Sequence, residues 1–128
     1  MNKILIDTNI YSEFKRNSID VVKKLQEVRY IGISTIVFGE IKAGFKLGNR
    51  EEKNISELNY FLDSPRVHFL GLDEDTADIY ATIFEQLKLN GTPIPANDIW
   101  IAASAIQYGL ALYTLDKHFK NINKLMLV

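Results

Sequence analysis

The stretch Ile4-Leu5-Ile6-Asp7-Thr8-Asn9 decides the architecture. Three consecutive apolar residues closed by a carboxylate predict a strand covered on both faces, the pattern of a parallel sheet. Thr8 and Asn9 offer capping oxygens to a short helix over residues 11–16, broken at Asn17-Ser18. Residues 19–28 are amphipathic, with Val21, Val22 and Leu25 on one side and Asp20, Lys23, Lys24 and Glu27 on the other. A second strand is expected at Tyr30-Ile31-Gly32-Ile33, then a helix capped by Ser34 or Thr35 that runs to about Leu47 and stops at Gly48-Asn49. A further amphipathic helix covers residues 51–62, and a third strand residues 67–70. A long helix covers residues 73–89, with acidic residues in its first turn as the macrodipole favours. After the rigid loop Thr92-Pro93-Ile94-Pro95 comes a helix over residues 97–108 with Asn97 favoured as its cap, then a fourth strand at residues 110–113. A single turn at residues 116–119 and a short last strand at 125–127 complete the chain. Strands alternating with helices imply an α/β sandwich around a mostly parallel sheet, and the absence of repeats or linkers implies a single domain over residues 1–128.

Composition narrows the function. Apolar residues make up 47% and charged residues 24% of 128 residues, which suits a globular domain with a real core. There are no cysteines, which excludes a disulfide scaffold, a cysteine nucleophile and a cysteine-based zinc site. The longest nearly apolar stretch, residues 99–106, is far short of the roughly 20 residues that span a bilayer. A cytoplasmic protein with no membrane association is expected. Net charge is −1, but setting aside Asp7, Glu40, Asp98 and Asp116 leaves 15 basic residues against twelve acidic ones, a balance of +3. The total therefore neither favours nor excludes a nucleic-acid substrate.

Those four acids occupy unusual positions. Ligands of an open parallel sheet bind beyond the carboxyl ends of its strands. Asp7 ends the first strand, and Asp116 lies just past the fourth, after Tyr113-Thr114-Leu115. Glu40 lies mid-helix, and its neighbours Ile36, Val37, Ala43 and Gly44 define an apolar, small-residue face. Asp98 is the one charge on an otherwise apolar helix. Each has a structural explanation when taken alone: Asp7 and Asp98 as helix-terminus groups, Asp116 as a turn residue. Converging carboxylates repel one another and persist most readily around hard divalent cations. With oxygen ligands only, and with His68 and His118 showing no ligand spacing, Mg²⁺ or Mn²⁺ chemistry on phosphate is indicated.

The segments around these acids resemble the PIN-domain ribonucleases, especially the VapC-type toxins of toxin–antitoxin pairs. The resemblance rests on Asp7-Thr8-Asn9 after an apolar strand, Glu40 within Ser34-Thr35-Ile36-Val37-Phe38-Gly39-Glu40-Ile41, Asn97-Asp98-Ile99-Trp100-Ile101-Ala102-Ala103, and Thr114-Leu115-Asp116-Lys117-His118-Phe119. It implies a three-layer α/β/α sandwich and a metal-dependent endoribonuclease that leaves 3′-hydroxyl and 5′-phosphate ends. Asp7, Glu40, Asp98 and Asp116 would hold one or two Mg²⁺ ions, with Mn²⁺ as an alternative; Asp7 and Asp98 would be the central ligands. Thr8, Asn97 and Thr114 would support them from behind, although helix or turn capping explains each as well. The resemblance further implies a homodimer, an RNA substrate such as transfer RNA, and a cognate antitoxin that blocks the acidic pocket. Residues 19–28 and 51–62 would line its groove, with ordinary surface helices packed on the core as the alternative. Lys15, Arg16, Lys42, Lys46, Arg50 and Lys117 are expected phosphate contacts, with a solvated charged face as the ordinary alternative. Trp100 is expected in the core, and His118 is expected as an exposed turn residue rather than a ligand.

Two other readings remain at this stage. Phosphoaspartate chemistry at Asp7 would want a second acid two residues on, where Asn9 stands. A catalytically silent PIN-fold module that binds RNA or a partner is the alternative, but such a module has little reason to keep costly clustered charges.

Overall fold

The computed structural model describes residues 2–128. Four strands, β1 (Lys3–Ile6), β2 (Tyr30–Ser34), β3 (Val67–Leu70) and β4 (Ala111–Tyr113), form one sheet in the order β3-β2-β1-β4. All three pairings are parallel, so the four carboxyl ends share one edge. Six helices complete a three-layer α/β/α sandwich: α1 (Thr8–Lys15), α2 (Ile19–Glu27), α3 (Thr35–Leu47), α4 (Glu51–Leu62), α5 (Glu74–Leu89) and α6 (Ala96–Gln107). Among the described residues no helix is long and apolar enough to cross a membrane.

The central position of β1 follows from its sequence. Ile4, Leu5 and Ile6 are completely buried, which a strand achieves only with partners on both edges and layers on both faces. Beside it, Gly32 of β2 sits opposite Leu5 in register. A Cβ at Gly32 would stand 2.8 Å from Leu70 Cδ1 and 3.0 Å from Leu110 Cδ1. Gly32→Ala is therefore expected to destabilise by about 1–3 kcal/mol through overpacking, read as a lower urea midpoint at unchanged slope.

The helices start where polar side chains meet their first free N–H groups. Asp7 caps α1, Ser34 caps α3 by accepting from the Val37 N–H at 3.3 Å, and Asp73 caps α5 in a capping box with Thr76. Asp73 also accepts from Gln107 Nε2 at 2.8 Å, and Thr76, fully buried, donates to Gln107 Oε1. This network pins α5 to the end of α6 and so fixes the helix that carries Asp98.

Three expectations change. Pro95, not Asn97, takes the cap position of α6, because the Asp98 and Ile99 N–H groups both point to the Pro95 carbonyl, at 3.0 and 3.2 Å. Trp100 is only half-buried; it stacks on Tyr80 with centroids 4.2 Å apart, since α5 covers one side of it. The last strand reduces to a single bridge from Leu127 to Leu112, because Lys124 takes a left-handed φ of 66° and turns the chain just before it.

Candidate metal and nuclease site

The site is built at the carboxyl edge of the sheet. Asp7 emerges from the end of β1 and is 5% exposed, the most buried charge in the site. Its Oδ1 accepts from the Ile10 N–H at 2.9 Å, and its Oδ2 accepts from the Thr114 hydroxyl across the β1–β4 junction. The cap and the site carboxylate are thus the same group. Burial pushes the Asp7 carboxyl above its ordinary value. Hydrogen bonds from Thr114 and Ile10 oppose that rise, and the nearby Asp116 and Glu40 charges add to it.

Asp98, in the first turn of α6, is half-buried and is also raised. Burial is the main cause; Asp116, Glu40 and Asp7 repel its charge, and His118 opposes them. The charges of Asp116 and Glu40 thus act on both Asp7 and Asp98, while Asp98 and Asp116 have carboxylate oxygens within 4.8 Å of each other. Glu40 reaches the site from α3 and is held at both oxygens: Oε1 accepts from the Thr8 hydroxyl at 2.5 Å, and Oε2 from Asn97 Nδ2 at 3.3 Å. The small residues beside it, Ala43 and Gly44, are exposed rather than packed inward, and Gly44 lines a cleft between α1, α3 and α4.

Asp116 follows β4 and opens a 3₁₀ turn over Lys117–Asn121, capping it by accepting from the His118 N–H at 2.9 Å. The Asp116 N–H in turn donates to Thr114 Oγ1 at 2.9 Å. One threonine hydroxyl therefore orients two acids, giving its proton to Asp7 and accepting from the backbone of Asp116. Thr114→Val removes both contacts at nearly constant volume. It is expected to weaken divalent-metal affinity about 10–100-fold in titration calorimetry while leaving the far-ultraviolet dichroism unchanged.

Two features were hidden from the sequence. Asn97 orients Glu40 instead of capping α6 or supporting Asp98. His118 also faces the site: a ring nitrogen of His118 and one carboxylate oxygen each of Asp98 and Asp116 lie within 4.8 Å of one another. The alternation of Asp116 and His118 across one turn residue was the available signal. The donor set, oxygen-rich and negatively charged, fits a hard divalent cation.

Beyond Glu40 the cleft has a volume of about 690 Å³, and Lys15, Arg16 and Lys53 line it together with Asn17 and Asn54. Lys15 is paired with Glu57 at 3.1 Å and Arg16 with Glu13 at 2.7 Å. Of the other expected phosphate contacts, Lys46 is paired with Glu51 at 2.8 Å, and Lys42 lies over the Phe38 ring at 4.6 Å.

A PIN-domain family model matches residues 4–125. The chain belongs to the PIN-domain family. This PIN domain is 30% identical to Ribonuclease VapC4 of Mycobacterium tuberculosis over 88 residues, which are 69% of this chain and 68% of that one. It is 34% identical to Toxin FitB of Neisseria gonorrhoeae over 123 residues, covering 88% and 87% of the two chains. Among solved structures, it superposes with a TM-score of 0.89 on a chain of VapBC2 from Rickettsia felis bound to a DNA fragment from their promoter. That match has 28% identity and covers 98% of this chain and 96% of the other.

Proposed function

We propose that this PIN domain is a metal-dependent endoribonuclease and the toxin of a toxin–antitoxin pair, silenced by its cognate antitoxin. The observation that carries the reading is the convergence of Asp7, Glu40, Asp98 and Asp116 at the carboxyl edge of a parallel sheet, with two acids raised by burial and mutual repulsion. The names of its relatives, Ribonuclease VapC4 and Toxin FitB, support the same reading.

In this reading the four acids hold Mg²⁺, with Mn²⁺ as a substitute, and Asp7 and Asp98 are the central ligands. The bound ion supplies a nucleophile at neutral pH and Lewis-acid stabilisation of charge on the scissile phosphodiester. The protein's own contribution is positional. Thr114 and the Ile10 N–H lock both oxygens of Asp7. Thr8 and Asn97 lock both oxygens of Glu40. Side chains held in this way need no reordering when substrate arrives.

The antitoxin would run along the cleft from Glu40 past Lys15 and Lys53 and continue over the apolar cavity between α2 and α4. That cavity, about 590 Å³, is lined by Val22, Leu25, Tyr60 and Phe61, with Tyr60 83% exposed. Both helices expected to line the groove thus meet in one concave surface. A homodimer belongs to the same reading. RNA, structured species such as transfer RNA included, is the substrate class.

The test is cleavage of total cellular RNA by the purified chain, with Mg²⁺ or Mn²⁺ and with a chelator. Metal-dependent fragments ending in 5′-phosphate are expected. Cleavage that survives chelation sinks the mechanism, and a folded, metal-loaded protein that cuts nothing points instead to a silent binding module.

A further inference from the structure

His118 was expected to be a bystander, and its surroundings argue otherwise. The 3₁₀ turn after Asp116 folds the imidazole back over the carboxylate, so that His118 Nδ1 lies 3.1 Å from Asp116 Oδ1. Asp98 faces the same point from a different element, and the three donor atoms lie within 4.8 Å of one another. Two ligands on opposite sides of one ion, each about 2.1 Å from it, are at most about 4.2 Å apart. Three ligands around one ion lie roughly 3–4.2 Å from one another, so an inward movement on the order of an ångström brings all three into bonding range. The His118 side chain is largely exposed, so it has the freedom to make that movement. The other histidine is engaged elsewhere, stacked on Tyr30 at 4.1 Å.

We propose that His118 is a nitrogen ligand to a divalent cation held with Asp98 and Asp116, and that it moves the preference of this site from Mg²⁺ towards first-row transition ions. The proposal rests on the metal-site reading above and specifies its chemistry. Mg²⁺ demands near-ideal octahedral oxygen coordination and gains little from an imidazole. Affinity for a site containing nitrogen rises from Mn²⁺ through Co²⁺ to Ni²⁺. A site of oxygen ligands alone discriminates less among these ions, so one histidine in the set should be visible in the ion order.

The experiment uses the full chain and reads binding rather than cleavage. Mg²⁺, Mn²⁺ and Co²⁺ are titrated calorimetrically into the parent, His118→Gln and His68→Gln. The Mn²⁺-loaded proteins are then examined by electron spin-echo spectroscopy for coupling to ¹⁴N. Expected are a nitrogen coupling in the parent and in His68→Gln, its loss in His118→Gln, and a Co²⁺ affinity lowered about tenfold or more in that variant with Mg²⁺ affinity changed less than about twofold. Mn²⁺ bound without nitrogen coupling, or an equal loss for all ions, overturns the role of His118 while leaving the carboxylate site standing. No binding of any ion by the folded parent overturns both.

Discussion

Asp7→Asn is expected to lower RNA cleavage by at least about 100-fold and, at the same time, to raise the melting temperature of the metal-free protein. The two effects have one cause. Asp7 is the most buried charge of the cluster, its carboxyl is pushed up by burial, and Asp116 and Glu40 repel it. Asparagine keeps the cap on α1, because its oxygen still accepts from the Ile10 N–H, and Asn ranks with Asp at that position. What disappears is the buried charge. Relief of a functional site in this way is commonly worth about 0.5–2 kcal/mol, or a few degrees in melting temperature. The loss of activity should exceed the roughly 10–100-fold cost of losing a mere supporting contact, because a ligand itself is gone. Asp98→Asn should behave likewise, with a smaller gain in stability because Asp98 is less buried. A variant that loses activity and also melts earlier would show that Asp7 serves the fold, not the site.

Divalent metal is expected to abolish the fall of stability with rising pH that the raised acids impose. Asp7 and Asp98 both titrate above their ordinary value of 3.8. Through the window from that value up to their raised ones, the folded, metal-free protein binds more protons than the unfolded chain. Its stability therefore falls as pH rises through this window and is flat above it. A metal-loaded site has given up those protons, so over the same window stability stops falling and becomes flat, and it declines only on acidification below the ordinary value of 3.8. At neutral pH, an ion at 100 times its dissociation constant adds about 2.7 kcal/mol, on the order of 10 °C for a chain of this size. Asp73 runs against this background: the Thr76 N–H and Gln107 hold its carboxyl low, so its contribution is lost on acidification. The decisive quantity is thus the parent minus Asp7→Asn difference, measured with Mn²⁺ and with chelator from pH 4 to 8. Parallel curves in the two conditions would remove Asp7 from the metal site.

The sequence carried the frame of this site but not its wiring. β1 was legible because three apolar residues closed by a carboxylate have few other places to go. Asp7 and Asp116 were legible because strand ends in a parallel sheet share one edge. Glu40 was legible as an inward carboxylate, but the surface it occupies is a cleft wall, since small neighbours mark close approach without saying what approaches. The bond from Asn97 to Glu40 spans 57 residues, and no local pattern encodes such a distance. The cap of α6 was misplaced for a related reason. Asn97 is a good capping residue in isolation, and the preceding Pro95 already supplies the carbonyl that closes the first turn. His118 is the exposed turn residue the sequence predicts, and its approach to Asp116 follows from the 3₁₀ turn that separates the two by a single residue.

The pairing of the first strand with the last has a consequence for the order of events in a cell. β1 lies between β2 and β4, and the Thr114 hydroxyl that orients Asp7 is 107 residues downstream of it. Chains lengthen at roughly 5–20 residues per second, so a growing polypeptide displays Asp7 and Glu40 for several seconds before Asp98, Thr114 and Asp116 exist. During that interval β1 has one neighbour instead of two, and no cutting centre can assemble. Cutting power therefore arrives only once Thr114 and Asp116 have been made and β4 has joined β1.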